Sequence, residues 1–218
     1  SGGLDWTVRL WDTETWRELR KLGPPGHTNT VTSLAFSPDG ETLASGSMDW
    51  SVMLWDWRRG SLRRTFKGHS GMVTCVDFRS DNQVLASGGA DRRLNLWVLE
   101  NPREFETVYT QSAMMTALTY SPNGLVLATA GQDSVIHLVD ARTRSVIRRF
   151  EGHEKSVLSL AFSSNSKWLA PGSADGTIRL WDADSGDEAA MVQVDSMVWA
   201  VRFNPNRLLL AAGTQDGE

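Results

Sequence analysis

His, Ser and Asp in one protein are the residue types of nucleophilic catalysis, in which an imidazole takes the hydroxyl proton and a carboxylate orients the imidazole. The chain holds this set at His27, Ser45 and Asp49, and again at His69, Ser87 and Asp91. The copying argues against catalysis, because a nucleophile needs one preorganised oxyanion hole rather than one per repeat. The histidines read no better as metal ligands. His27, His69 and His153 stand 42 and 84 residues apart, and no Cys or His lies close enough in sequence to complete a site. Gly88-Gly89 leads into a strand rather than a helix, so it does not read as a phosphate cradle. Cys75, the only cysteine, cannot form an internal disulfide, and its run VTCVDF marks it as a small buried hydrophobe. No catalytic residue, cofactor or metal is expected.

The elements that must position these residues are short strands. Between Gly26 and Asp56 lie three apolar runs, Val31 to Phe36, Thr42 to Ser45 and Ser51 to Trp55. Each is rich in β-branched or aromatic residues and bounded by turn chemistry. Ser37-Pro38-Asp39-Gly40 supplies the sharpest turn: Pro presets φ, Asp bonds its own backbone, and Gly accepts positive φ. The runs therefore form an antiparallel meander. One meander cannot stand alone in water, and the chain provides neighbours by repetition. Asp5, Asp49, Asp91, Asp133, Asp175 and Asp216 recur at separations of 44, 42, 42, 42 and 41 residues. Six residues after the first five come Trp11, Trp55, Trp97, Val139 and Trp181. Four residues before each Asp come Ser1, Ser45, Ser87, Thr129, Pro171 and Ala212.

Composition bounds the function classes. A net charge of −4 argues against a nucleic-acid platform, which needs a clearly basic balance. Arg63-Arg64, Arg92-Arg93 and Arg148-Arg149 could attract an acidic partner, although solvated outer strands explain them as well. No apolar run approaches the ~18 residues of a membrane span, and there is no signal peptide. A lone cysteine suits a reducing compartment, so a cytoplasmic location is expected. The chain begins without Met and inside a repeat, which reads as an excised or incomplete piece.

The GH…WD pattern, the period of about 42 residues and the SPDG turn make the chain resemble the WD-repeat β-propellers. The resemblance covers essentially the whole sequence. It implies an all-β propeller of four-stranded blades as a single domain. Full repeats would span 23–66, 67–110, 111–150 and 151–194. The outermost strands would be Leu62 to Phe66, Glu104 to Tyr109, Ser145 to Phe150 and Glu188 to Val194. Residues 1–22 would close one repeat and 195–218 would open another. The two partial repeats add up to one composite blade and a closed ring of five. Against that, the loops carrying Asp5 and Asp216 duplicate one another, which suits an arc of a larger propeller.

The resemblance also implies a hydrogen-bonded tetrad inside each blade, in which Asp accepts from His, His bonds the Ser hydroxyl, and Ser bonds the Trp indole. Its members would be His27, Ser45, Asp49, Trp55; His69, Ser87, Asp91, Trp97; Thr129 and Asp133; and His153, Asp175 and Trp181. Blade three departs with Gln111 and Val139, and blade four with Pro171, so blades one and two should be the most firmly held. His137 falls on a third strand as a surface or blade-interface residue. The same resemblance implies a non-enzymatic scaffold whose partner is a protein or peptide, without nucleic acid, membrane or small-molecule substrate. The partner face would comprise Thr28, Ser70, Ser112, Glu154 and Asp195; Thr30, Met72, Met114, Ser156 and Met197; and Met48 and Gln132. Three Met at one repeat position suit an adaptable binding surface. Trp50 and Trp199 would add aromatic area of the kind that anchors partners, or pack in the core. The rival reading is a sensor or regulatory arm of a larger multidomain protein such as a kinase or ATPase.

Overall fold

The computed structural model describes residues 1–101 and 105–217, and every regular element among them is a β-strand. Contacts divide the chain into two compact units, residues 1–110 and 111–218.

The first unit opens with a two-stranded sheet, β1 (Val8–Trp11) and β2 (Glu18–Leu22). Blade one follows as β3 (Val31–Phe36), β4 (Leu43–Ser47), β5 (Ser51–Asp56) and β6 (Ser61–Lys67), paired antiparallel in chain order. Blade two repeats the plan in β7 (Val73–Phe78), β8 (Val84–Gly89), β9 (Arg93–Val98) and β10 (Phe105–Thr110). Glu104, expected to begin that outer strand, lies outside the described residues.

The second unit holds blade three, β11 (Met115–Tyr120), β12 (Val126–Gly131), β13 (Ile136–Asp140) and β14 (Val146–Phe150). Blade four is β15 (Val157–Phe162), β16 (Trp168–Ser173), β17 (Thr177–Asp182) and β18 (Glu188–Gln193). A two-stranded sheet closes the unit, β19 (Val198–Phe203) with β20 (Leu210–Thr214).

Among the described residues β1 pairs with β2 in the first unit and β20 with β19 in the second, in two separate sheets. The inner edge of β1 is occupied by the chain's own first residues: Gly2 bridges Val8, and Arg9 N donates to Ser1 O at 2.7 Å. Ser1 and Gly2 lie where the end of a preceding strand would pair.

Neighbouring sheets within a unit interlock in the same way each time. Ala44, Val52, Leu54 and Phe66 of blade one share a core with Val73, Val76, Phe78 and Leu85 of blade two. In the second unit Leu138 and Phe150 of blade three pack with Leu160, Phe162 and Leu169 of blade four. The second strands are buried along their whole length in blades one and two, so only small side chains fit at the closest approach. A Cβ added to Gly46 would lie 2.7 Å from Val73 Cγ1, and one added to Gly172 would lie 2.6 Å from Val198 Cγ1. Polar clasps accompany the packing: Ser33 Oγ accepts from Val76 N, and Ser159 Oγ from Val201 N, both at 3.1 Å. Where the third strand reaches its Trp, the register with the outer strand shifts between Leu54 and Trp55 and again between Leu180 and Trp181.

Candidate functional site

The aspartate that ends each second-strand loop sits in a tight turn. Trp50 N donates to Ser47 O at 3.2 Å, and the residue after the Asp is left-handed in every repeat: φ is 65° at Trp6, 71° at Trp50, 68° at Arg92, 64° at Ser134, 80° at Gly176 and 82° at Gly217. This turn points the carboxylate back at the loop before the first strand. In blade one Asp49 Oδ2 meets His27 Nδ1 at 2.9 Å and accepts from Thr28 N at 2.9 Å. His27 Nε2 lies 2.7 Å from Ser45 Oγ, which accepts from Trp55 Nε1 at 2.8 Å. Blade two repeats the chain of contacts: His69 to Asp91 at 2.9 Å, His69 to Ser87 at 2.7 Å and Trp97 to Ser87 at 2.8 Å. Ser45 and Ser87 are fully buried, and each hydroxyl is committed to an imidazole and an indole. Neither is open to an acyl group.

A further member is absent from the sequence reading. Ser51 Oγ donates to Asp49 Oδ1 at 2.6 Å, Thr177 Oγ1 to Asp175 Oδ1 at 2.6 Å, and Thr7 Oγ1 to Asp5 Oδ1 at 2.8 Å. The signal was a hydroxyl two residues after the Asp, visible at Thr7, Ser51 and Thr177. Blade two has Arg93 at that place.

Blades three and four hold partial sets. In blade four His153 Nδ1 reaches Asp175 at 2.9 Å, but Pro171 stands where the hydroxyl belongs. His153 Nε2 and Trp181 Nε1 are buried without a partner among the described residues. Pro171 also lacks an N–H for the ladder, and the β16–β17 register runs from Leu169↔Trp181 directly to Gly172↔Ile178. In blade three Gln111 Nε2 is 3.5 Å from both Asp133 Oδ1 and His137 Nδ1, and Thr129 Oγ1 has no partner among the described residues. His137 is buried at 4% exposure rather than set at the surface, as are Met53 and Asn95 at the same position of blades one and two. Val139 fills the indole's place as plain core. At the start of the chain Trp11 Nε1 donates to Ser1 Oγ at 3.1 Å, and Asp5 pairs with Arg9 at 2.8 Å.

The electrostatics match a neutral imidazole between a donor and an acceptor. Burial lowers the pKa of His27, His69 and His153, outweighing the neighbouring carboxylate that favours the charged form. Burial pushes the Asp49 carboxyl up, but hydrogen bonds from Ser51, Thr28 and His27 together hold it below its ordinary range. Asp175 is held well below that range in the same way, by Thr177, Glu154 and His153. Cys75 is buried, and its thiol is pushed up to about 12, which leaves it inert.

The same loops carry the expected partner face, and each repeat ties two of its loops together. Met48 N donates to Thr30 O at 2.9 Å, and Ala90 N to Met72 O at 2.8 Å in the first unit. In the second unit Gln132 N donates to Met114 O at 3.0 Å, Ala174 N to Ser156 O at 2.9 Å, and Gln215 N to Met197 O at 2.9 Å. Thr28, Ser70, Ser112, Gln132, Glu154, Asp195 and Met197 are exposed, whereas Thr30, Met48, Met72, Met114 and Ser156 are half-buried. Met115 is fully buried and belongs to the core. Trp50 and Trp199 are exposed at 54% and 56%. Among the described residues no group of three His, Cys, Asp or Glu is placed to hold a metal ion, and no helix is long and apolar enough to cross a membrane.

Three outcomes follow from this geometry. Asp49→Ala orphans the His27 Nδ1–H, the Thr28 N–H and Ser51, which costs about 1–3 kcal/mol and lowers Tm by roughly 3–9 °C. Asp133→Ala removes only the Ser112 contact and long approaches, so its loss in a melting experiment is smaller; equal losses contradict the ranking. Pro171→Ser gives both orphaned groups of blade four a partner and is expected to raise Tm by roughly 2–4 °C, net of the chain entropy that Pro restricts. A lower Tm than the native chain's refutes this account of blade four. Because the folded histidines have pKa values below the unfolded value of about 6.5, the unfolded chain binds more protons as pH falls. Tm is therefore flat above pH ~7, falls as pH drops through ~6.5, and falls again below ~4 as Asp49 and Asp175 lose their ionised advantage. A scan by differential calorimetry that stays flat from pH 7 to pH 5 rules out the histidine contribution.

Two family models match the chain. One, described as the WDR36/Utp21 second beta-propeller domain, covers residues 58–217, and the other, described as WD domain, G-beta repeat, covers residues 16–56. Among curated proteins, mouse Coronin-7 is 49% identical over 45 residues, which is 21% of this chain and 5% of that protein. Nuclear distribution protein PAC1 of Coprinopsis cinerea is 51% identical over 41 residues, 19% of this chain and 9% of that protein. The matched stretches are about one repeat long and span a small part of each relative. With four sheets of four strands, the Asp–His–Ser–Trp sets of blades one and two and a family match across residues 58–217, the chain belongs to the WD-repeat β-propeller family.

Proposed function

We propose that the chain is a non-enzymatic scaffold, one propeller domain that binds a protein or peptide through the loops before its first and third strands. The observation that carries this reading is the loop-to-loop hydrogen bond found in five repeats, from the residue before the Asp to the carbonyl of Thr30, Met72, Met114, Ser156 or Met197. It fixes the backbone of both loops and leaves the side chains free. A rigid backbone carrying Met is a low-cost way to build an adaptable contact surface, because the thioether repacks while the loop loses no entropy. The would-be nucleophiles Ser45 and Ser87 are sealed in the blades, which supports a role without catalysis. Such a role sits in the cytoplasm in this reading.

A second reading, a propeller arm of a larger multidomain protein, draws support from relatives in which the matching repeat is 5% or 9% of the length. The binding surface is the same in both. Affinity capture with the native chain and with a Met72→Ala/Met114→Ala/Met197→Ala variant tests it. Loss of most captured protein in the variant, with Tm within a few degrees of native, is the expected result. An unchanged set of captured proteins rules out this choice of face.

A further inference from the structure

The last strand of each sheet in blades one to four forms an outer edge, with one side of its backbone unpaired. Such an edge accepts another strand unless it is guarded by charge, proline or a bulge. The register allows the guards to be compared position by position. Opposite Leu10 of β1 and Leu54, Leu96 and Leu138 of β5, β9 and β13 stand Arg20, Arg64, Glu106 and Arg148; opposite Leu180 of β17 stands Ala190. Two of those arginines also clasp the next blade, Arg64 on Leu99 O and Arg148 on Asp184 O, both at 2.6 Å. One position on, Lys21 in β2, Thr65 in β6 and Arg149 in β14 correspond to Met191 in β18. β10 carries no charge after Glu106, but its register slips in mid-strand, between Thr107 and Tyr109, and a bulge there twists the edge away. β18 slips only at its start, so residues 190–193 pair with β17 in unbroken register.

β18 is therefore a regular edge without a guard. All six of its residues are exposed, Met191 at 51% and Val192 at 55%. Its one charge, Glu188, is paired with Arg179 of its own sheet at 2.6 Å, and the Gln193 side chain folds back to donate to Gly176 O at 3.2 Å. Val194 N donates to Gly176 O at 2.8 Å. Alternation along the strand then turns the N–H and C=O of Ala190 and Val192 towards β17 and those of Met191 and Gln193 outward. Among the described residues β18 pairs with β17 and with no other strand.

An identical strand complements this edge. A two-fold axis at Met191 sets Met191 against Met191, Ala190 against Val192, Ala189 against Gln193 and Glu188 against Val194, so no like charges meet. The same operation on β2, β6 or β14 sets Lys21 on Lys21, Arg63 on Lys67 or Arg149 on Arg149, each of which repels. We propose that β18 is the docking edge for a second copy of this chain, the two strands joining antiparallel so that two four-stranded sheets become one continuous sheet. The proposal is independent of the scaffold reading, whose loops lie at the strand ends.

Sedimentation velocity of the full chain from about 5 to about 500 µM is expected to show the mass moving from that of one chain to that of two, with no larger species. Over the same range, hydrogen exchange at the Met191 and Gln193 amides slows at least about fivefold, while exchange at Lys21 and Arg149 stays constant. An Ala190→Arg/Met191→Arg variant carries the charges that β14 has at Arg148 and Arg149, and it stays a monomer at the native Tm. Met191→Lys, a single change at an exposed site, raises the midpoint concentration at least about tenfold. A native chain that is monomeric throughout overturns the proposal. So does association that survives both variants, grows beyond two chains, or leaves the Met191 and Gln193 amides unprotected. Protection of those amides in a monomeric native chain, gained only from an added synthetic peptide of residues 188–194, assigns the edge to a foreign strand and overturns the second copy as occupant.

Discussion

In blades one, two and four a single carboxylate ties together two loops. Asp49 reaches from the turn between β4 and β5 to the segment before β3, where it holds an imidazole and a backbone N–H. It thereby adds a side-chain tie to two loops already joined by the backbone bond from Met48 N to Thr30 O. The imidazole passes the constraint inward through Ser45 to the indole of Trp55, on the far side of the sheet's second strand. A charge at the loop end and an aromatic ring in the core become parts of one rigid path. The path works only with a neutral imidazole that donates at Nδ1 and accepts at Nε2, and burial favours that form.

That path is an addition to the fold rather than its cause. Blade three pairs all four strands in order with Gln111 and Val139 where imidazole and indole belong. What it keeps is the apolar content, with Ile136, Leu138 and Phe150 each 2% exposed or less. Burying three such side chains contributes about 1.5–3 kcal/mol apiece, against about 0.5–1.5 for each net hydrogen bond of a complete set. The packing therefore selects the blade and the polar set sharpens it. Blade four illustrates the asymmetry from the other side. With His153 and Trp181 still present, removing the hydroxyl between them leaves two buried groups unpaired among the described residues, as blade three leaves Thr129 Oγ1 and Gln111 Oε1.

Most of the fold was legible because its signal repeats. Val31–Phe36 matches the expected run residue for residue, and the other strand ends move by a few positions at most. The SPDG turn returns as SPNG at residues 121–124 and the Asp–Trp spacing recurs, so an error in one repeat is corrected by the next. The places where reading failed are those with no second copy to compare. The two end fragments have no second copy, and nothing in the residue pattern says that Ser1 and Gly2 lie along β1. His137 read as a surface or interface residue; it is buried, and nothing in the residue pattern places Gln111 beside it. The hydroxyl cap at Thr7, Ser51 and Thr177 was available in the sequence but overshadowed by the His–Ser–Asp set.

The same comparison of siblings explains why departures differ in meaning. Val139 removes the indole from blade three and leaves the Thr129 hydroxyl buried without a partner among the described residues. A substitution that raises cost and leaves charge exposed is not self-consistent within the fold. Arg92 occupies a backbone conformation that favours glycine, and Arg93 displaces a cap that three other repeats use. Trp50 belongs to the same class, a large exposed side chain at φ 71° where a glycine would be unstrained. Both fall on the loop that the aspartate holds rigid. A rigid loop can carry a strained side chain because the carboxylate, not the side chain, determines its conformation. The constraint that stabilises each blade is thus also what permits its loop tips to diverge, and divergence at those tips is where one repeat of this chain comes to differ from the next.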